Sequence, residues 1–301
     1  MTEPSVMQTP DSLRAARTVV AAITDDAAAA SVLSVASAIA TLYSATVEAV
    51  HVGEARSELV AMAQGAGVPL RTVAGRPLEA LTQVAAAESV VAVVIGASAS
   101  AAGNGRPDST AMALLTSLEK PIVVVPANAP VGRAIERMLV PLNGTAASAA
   151  ALQEIVALAS HAEIQIVVAH VHQEHSLPAF SDQLAHEVRA WSDEFIARHC
   201  PSATEVTLES RVGEPHEHLL EILRQSGCDL VALGWSQDLA GGRAAVVRRM
   251  LAESPVPVLL TPSSSDSVFT LAAAAPAADA RSAADALAPG LDSPAASIPR
   301  A

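Results

Sequence analysis

Between an apolar run and a helical pattern lies GWSQDLAGGRAA, Gly234 to Ala245. A glycine-rich loop that enters a helix is a place where backbone N–H groups converge on an anion. Gly234, Gly241 and Gly242 allow such an approach, and the Arg243 guanidinium is able to pair with a phosphate. The helix end of the loop, however, is Ala244-Ala245, with neither a lysine nor a hydroxyl. Earlier in the same half, Asn143-Gly144 follows a strand-like run and precedes Thr145. The matching places in the first half hold Asp25-Asp26, Gly96 and Ser109. Asp108 puts a negative charge where a phosphate would lie, so Asp108 or Ser109 reads better as an ordinary helix N-cap. Asp25, Gly96, Ser109, Asn143, Gly144, Gly234, Gly241, Gly242 and Arg243 are therefore the candidate nucleotide or anion contacts.

Other chemistry is less well supported. His170 and His172 alternate in a strand-like run and share a face, with His175 following, whereas His216 and His218 are two apart at the start of a helix. A metal site needs three or four converging ligands, and this spacing does not supply them. GWSQD lacks the second glycine of a nucleophile elbow, and no Ser-His-Asp arrangement is suggested. Cys200 and Cys228 lack metal or redox spacing and read as two reduced thiols. No catalytic residue is assigned, and the chain reads as a non-enzyme.

The elements that would position these residues occur twice. RTVVAAI from Arg17 parallels RMLVPLN from Arg137, and EAVHV from Glu48 parallels VVAHV from Val167. VAGRPLEAL from Val73 parallels VGEPHEHLL from Val212, VVAVVIGAS from Val90 parallels CDLVALGWS from Cys228, and KPIVVVPA parallels VPVLLTPS. Each copy reads as five short apolar strands alternating with four helices. That alternation predicts an α/β protein of two tandem, doubly wound, five-stranded parallel sheets. Ligands of such sheets sit beyond the carboxyl ends of the strands, which singles out the loops after Ile23, Gly96, Asn143 and Gly234. The second copy carries an insert before Val212 whose Leu184, Val188, Trp191 and Phe195 fall at helical spacing behind a Ser181-Asp182 cap.

Composition sets the outer limits. The chain has 301 residues, 51% of them apolar and only 2% aromatic, so Ala, Val, Leu and Ile must build the core. Lys120 is the only lysine, and the formal net charge is -13 with no basic region, which argues against nucleic acid as a partner. MTEPSVMQTPDS is polar and acidic rather than a leader, and no run of about 18 apolar residues suggests a membrane span. The expectation is a cytoplasmic protein with no membrane association. Residues 1–14 and the Ala/Pro/Ser-rich 265–301 read as disordered, flanking domains at 15–128 and 134–263.

With two five-stranded units, a G-x-P before a helix and a strand ending in glycine, the chain resembles the universal stress proteins. MLVPLNGTAASAAAL, VVAHVH, VGEP, DLVALGWS and SPVPVLLTP carry the resemblance, which extends over about residues 15–263. It implies a Rossmann-like fold of the adenine nucleotide alpha hydrolase type and a role in the stress response. Nucleotide-binding members carry Gly, two residues, Gly, nine residues, Gly and then Ser or Thr, with an acid after the first strand. Here Gln237 stands for the second glycine, Ala244-Ala245 for Gly-Ser and Asn143 for the acid. In the first copy Gly96 is kept, Ala99 replaces glycine and Asp108-Ser109 closes the pattern. The expected function is a regulatory or interaction module without strong ATP binding, acting on a protein partner. Alternatives are an ATP- or AMP-binding sensor with Mg²⁺ using a non-standard loop, or a small-molecule or metal-dependent enzyme. Family units commonly pair through the last strand, so PIVVVP and PVPVLLTP predict an intrachain pseudo-dimer, with a further homodimer left open.

Overall fold

The computed structural model describes residues 17–97, 109–144, 146–172, 185–201, 205–237 and 244–262. The two terminal segments expected to be disordered, the Ser181-Asp182 cap and Asp108 lie outside them.

The first half runs β1 (Thr18–Ala22), α1 (Ala29–Tyr43), β2 (Thr46–Val52), α2 (Ser57–Gly65), β3 (Leu70–Val73), α3 (Pro77–Ala85), β4 (Val90–Gly96), α4 (Ser109–Ser117) and β5 (Ile122–Val125). The second repeats this order with β6 (Arg137–Pro141), α5 (Ala146–His161), β7 (Gln165–His172), α6 (Ala185–His199), β8 (Val206–Val212), α7 (Pro215–Ser226), β9 (Leu230–Trp235), α8 (Ala245–Glu253) and β10 (Val258–Pro262). The expected alternation is present in both copies, and the insert supplies the long α6. The G-x-P motif also has a local cause. Gly75 and Gly213 take φ of 117° and 135°, and Pro77 and Pro215 open the next helices, where a missing N–H costs nothing.

All ten strands form one sheet, in the order β3-β2-β1-β4-β5-β10-β9-β6-β7-β8. Pairing is parallel within each half and antiparallel only between β5 and β10, where Val124 faces Val258, Val123 faces Leu259 and Ile122 faces Leu260. The expected pairing of the two copies through their last strands is thus how the chain is built. The two halves consequently form one compact unit.

Side-chain alternation explains why the paired residues of both seam strands, Ile122–Val124 and Val258–Leu260, are all apolar. Val123, Val125 and Leu259 enter the core under α1, α5 and α6, while Ile122, Val124, Val258 and Leu260 enter the core under α3, α4, α7 and α8. Each core therefore runs across both halves. The linker is tied down as well: Ser31 donates its hydroxyl to the Ala129 carbonyl, and Gly132 N–H donates to Ser34. Buried Asp229 accepts the amides of Glu136 and Arg137 and lies 2.6 Å from the Arg133 guanidinium.

Leu259 has no exposed surface. Leu259→Asp buries an unpaired carboxylate in a core shared by both halves, and should cost more than about 4 kcal/mol. A urea melt is expected to show both halves lost together; an unchanged midpoint would contradict the seam.

Candidate functional site

The carboxyl ends of the parallel strands place the sequence-predicted residues at two related positions, one per half. In the second half, Asn143 and Gly144 leave β6 beside β9. Gly144 has φ 80°, and a Cβ there would stand 3.3 Å from His170 Cε1, so both backbone and space favour glycine. Gly234 sits inside β9 under α5, where an added Cβ would come within 2.9 Å of Ala151 Cβ. Close helix–strand packing therefore calls for glycine here, whether or not an anion is bound. Gln237, three residues beyond Gly234, takes a left-handed backbone with φ 62°. Its side-chain amide donates to the Leu118 carbonyl of the first half. Ala244 is buried, and the start of α8 has no side-chain cap. Gly241, Gly242 and Arg243 lie outside the described residues.

Two features were not singled out by sequence. Trp235, one residue beyond Gly234, is only 2% exposed and belongs to the core under α7 and α8. The Gln237 strut likewise depends on the seam bringing Leu118 near. A comparison of the copies carried the first signal, because Trp235 stands where the first copy has Ala97.

In the first half Asp25 and Asp26 have separate roles. Asp26 accepts the Ala28 amide and the Thr24 hydroxyl, turning the chain into α1. Asp25 lies 3.6 Å from Arg56 and 4.0 Å from His51 Nε2. A cavity of about 170 Å³ opens beside them, with Ile23, His51, Leu81, Gly96, Thr110 and Leu114 among its walls. Gly96 is less constrained than Gly234, since its added Cβ would meet Val32 at 3.4 Å. Ser109 begins α4.

Residues 134–262 match the sequence model of the universal stress protein family. The chain carries a universal stress protein domain. No curated protein sequence matches the chain. Among solved structures, a universal stress protein from Archaeoglobus fulgidus aligns over 83% of this chain and 97% of its own, at 14% identity and TM-score 0.57. A protein of unknown function from Pseudomonas aeruginosa aligns over 83% and 93%, at 13% identity and TM-score 0.61. At these identities the likeness is one of fold, and it extends across both halves.

The histidines common to both halves hold that fold. His51 Nδ1–H donates to the Ile23 carbonyl at 3.0 Å, and in the universal stress protein domain His170 Nδ1–H donates to the Leu142 carbonyl at 2.8 Å. Each ring pins the turn that leaves the first strand of its half. His172 meets His170 edge-on at 4.3 Å between centroids, and Phe195 lies 4.9 Å from His170. Burial pushes His170 down despite its backbone bond, burial and His170 push His172 to about 4, and burial with Arg198 lowers His199. Among the described residues no group of three or more His, Cys, Asp or Glu is arranged for a metal ion. His216 and His218 instead lie 3.9 and 3.7 Å from Glu214 and Glu221. Cys200 and Cys228 are buried, which raises both thiols to about 11 and leaves them unreactive. Among the described residues no helix is long and apolar enough to cross a membrane.

Two outcomes follow from these contacts. Gly234→Val should cost about 1–3 kcal/mol by overpacking, with partial recovery in the double variant Gly234→Val/Ala151→Gly. Chemical denaturation checks this, and an unperturbed single variant would contradict it. The second concerns pH. The folded state holds His170, His172 and His199 below the ordinary histidine value, so the unfolded chain binds more protons in acid. Stability should be full above about pH 6.5 and fall as pH drops toward 4. Melts across that range should show a shallower slope in His172→Asn; equal slopes would remove His172 from the account.

Proposed function

We propose that the chain is a stress-response regulatory module of the cytoplasm that works by binding, not by chemistry, and does not hold ATP tightly. The observation that carries this is Gln237. Its backbone keeps the shape of a phosphate-loop glycine, but its side chain is committed to the Leu118 carbonyl across the seam. A loop that binds a polyphosphate presents free N–H groups around an open concavity. Here a side chain fills that role in holding the halves together. Gly234 is explained by Ala151, Ala244-Ala245 offer no hydroxyl, and Asn143 brings no carboxylate.

The other half supports the same reading. Asp25 and Arg56 stand at the first-half site, and the cavity of about 170 Å³ is below the roughly 300 Å³ at which ligand pockets begin. The seam strands are already paired to one another, so a protein partner would have to use another face. Millimolar Mg²⁺–ATP should therefore stabilise the protein by less than about 0.4 kcal/mol, the effect of a ligand no more concentrated than its Kd. Thermal melts with and without nucleotide measure this. A shift of several degrees, or nucleotide retained through purification, would overturn the reading in favour of an ATP or AMP sensor.

A further inference from the structure

The ten-stranded sheet ends at β3 on one side and β8 on the other, and among the described residues no strand lies outside either. The two edges are unlike. β3 is four residues long and carries Arg71 with no acid. β8 is seven residues long and carries Glu209 and Arg211, which lie 3.0 Å apart on one face with their side chains about a third exposed. Beside Glu209 a cavity of about 470 Å³, lined by Val167, Thr207 and Ser226 among others, leaves that face of the edge open. On the opposite face Val212 is a large apolar side chain with 46% of its surface exposed. Edge strands are commonly guarded by charges that repel another strand. The charges of β8 instead alternate in sign.

The backbone restricts how another strand meets this edge. Ile166 N–H donates to the Glu205 carbonyl, and Gly213 N–H donates to the His172 carbonyl, so the odd-numbered residues of β8 turn their backbone groups toward β7. Val206, Leu208, Ser210 and Val212 consequently aim N–H and C=O away from the sheet. An antiparallel approach about a two-fold axis closes an assembly at two copies. Outward residues then meet outward residues only if the axis passes through a residue. An axis through Glu209 opposes two glutamates, and one through Arg211 opposes two arginines. An axis through Leu208 leaves Glu209 against the partner's Thr207 and carries Arg211 to a glutamate beyond the strand, the partner's Glu205. An axis through Ser210 sets Glu209 against the partner's Arg211, and Arg211 against the partner's Glu209. These are non-hydrogen-bonded positions, where opposed Cα atoms approach to about 4.5 Å and opposite charges attract. In the same register Ser210 exchanges both backbone bonds with the partner's Ser210, and Leu208 does so with the partner's Val212, which covers the exposed valine.

We propose that β8 is a self-complementary docking edge, and that a second copy of this chain pairs with it antiparallel about Ser210 to continue the sheet. The inference goes beyond the functional reading and stands apart from it, because its tests contain no nucleotide.

Sedimentation velocity of the full chain over a range of concentrations should show monomers and dimers in reversible equilibrium, with nothing larger. Glu209→Arg and Arg211→Glu each set like charges opposite one another twice, and each should weaken the dimer about tenfold or more. An equimolar mixture of the two variants restores every pair and should dimerise as the parent does. Ser210→Pro removes an N–H that makes no bond to β7, so it should abolish the dimer while the monomer's melt stays close to the parent's. Should a variant fail to fold, hydrogen exchange on the parent decides: the Leu208, Ser210 and Val212 amides should gain protection as chain concentration rises. Protection independent of concentration would mean that the chain covers its own edge, and would overturn the proposal. A parent that stays monomeric, a dimer that the folded variants do not weaken, or a mixture no tighter than its components would each do the same. Assemblies larger than a dimer would also overturn it, and their dispersal by Arg71→Glu would place β3 of one copy on β8 of the next.

Discussion

The antiparallel pairing of β5 with β10 is the constraint on which the remaining features depend. Three residues of each strand pair across the seam, and their side chains alternate into two cores that both span the chain. An isolated five-stranded unit would end in an apolar edge with open backbone groups, which invites uncontrolled pairing. Joining two such edges removes both hazards and makes each half part of the other's core. Asp229, Ser31 and Ser34 then hold the linker against the same unit.

Fusion also frees the halves to differ. In a symmetric dimer of one repeated unit, any change at a strand end appears twice. Within one chain, the second half has Trp235 and Gln237 at its strand end while the first has Ala97 and a cavity. Gln237 shows the coupling most directly, because its partner carbonyl exists only through the other half. The strand end that carries a candidate site is thus also a place where the two halves are fastened together. His51 and His170, by contrast, keep one task in both copies, donating to the first carbonyl beyond the strand.

Most of the fold was legible because periodicity and repetition are sequence properties. Among the described residues, the order of ten strands and eight helices follows from short Val- and Ile-rich runs between helical patterns, whereas the seam was expected from how units of the resembled family pair, through two short, largely apolar last strands. The candidate site was legible only as positions. Asn143, Gly144, Gly234, Asp25 and Gly96 lie at or just beyond the carboxyl ends of strands, as the fold class requires, and Ser109 opens the helix that follows β4. Their roles were not legible. Gly234 reads as a phosphate glycine until Ala151 is seen against it, and that contact joins residues 83 positions apart on an intervening helix and strand. Gln237 reads as a lost glycine until its φ and its reach to Leu118 are known, both of which are tertiary facts. Asp25 and Asp26 look interchangeable, yet one faces His51 and the other turns the chain.

The central claim is that the seam makes two repeats into one cooperative body. Native-state hydrogen exchange of the β5 and β10 backbone amides tests it most directly, because these strands belong to different halves and pair directly with each other across the seam. The account predicts that protected amides of the central strands in both halves exchange through the same global unfolding, with one free energy and one denaturant dependence. Exchange of the first-half strands through a separate, lower-energy opening that leaves β9 and β10 protected would contradict it.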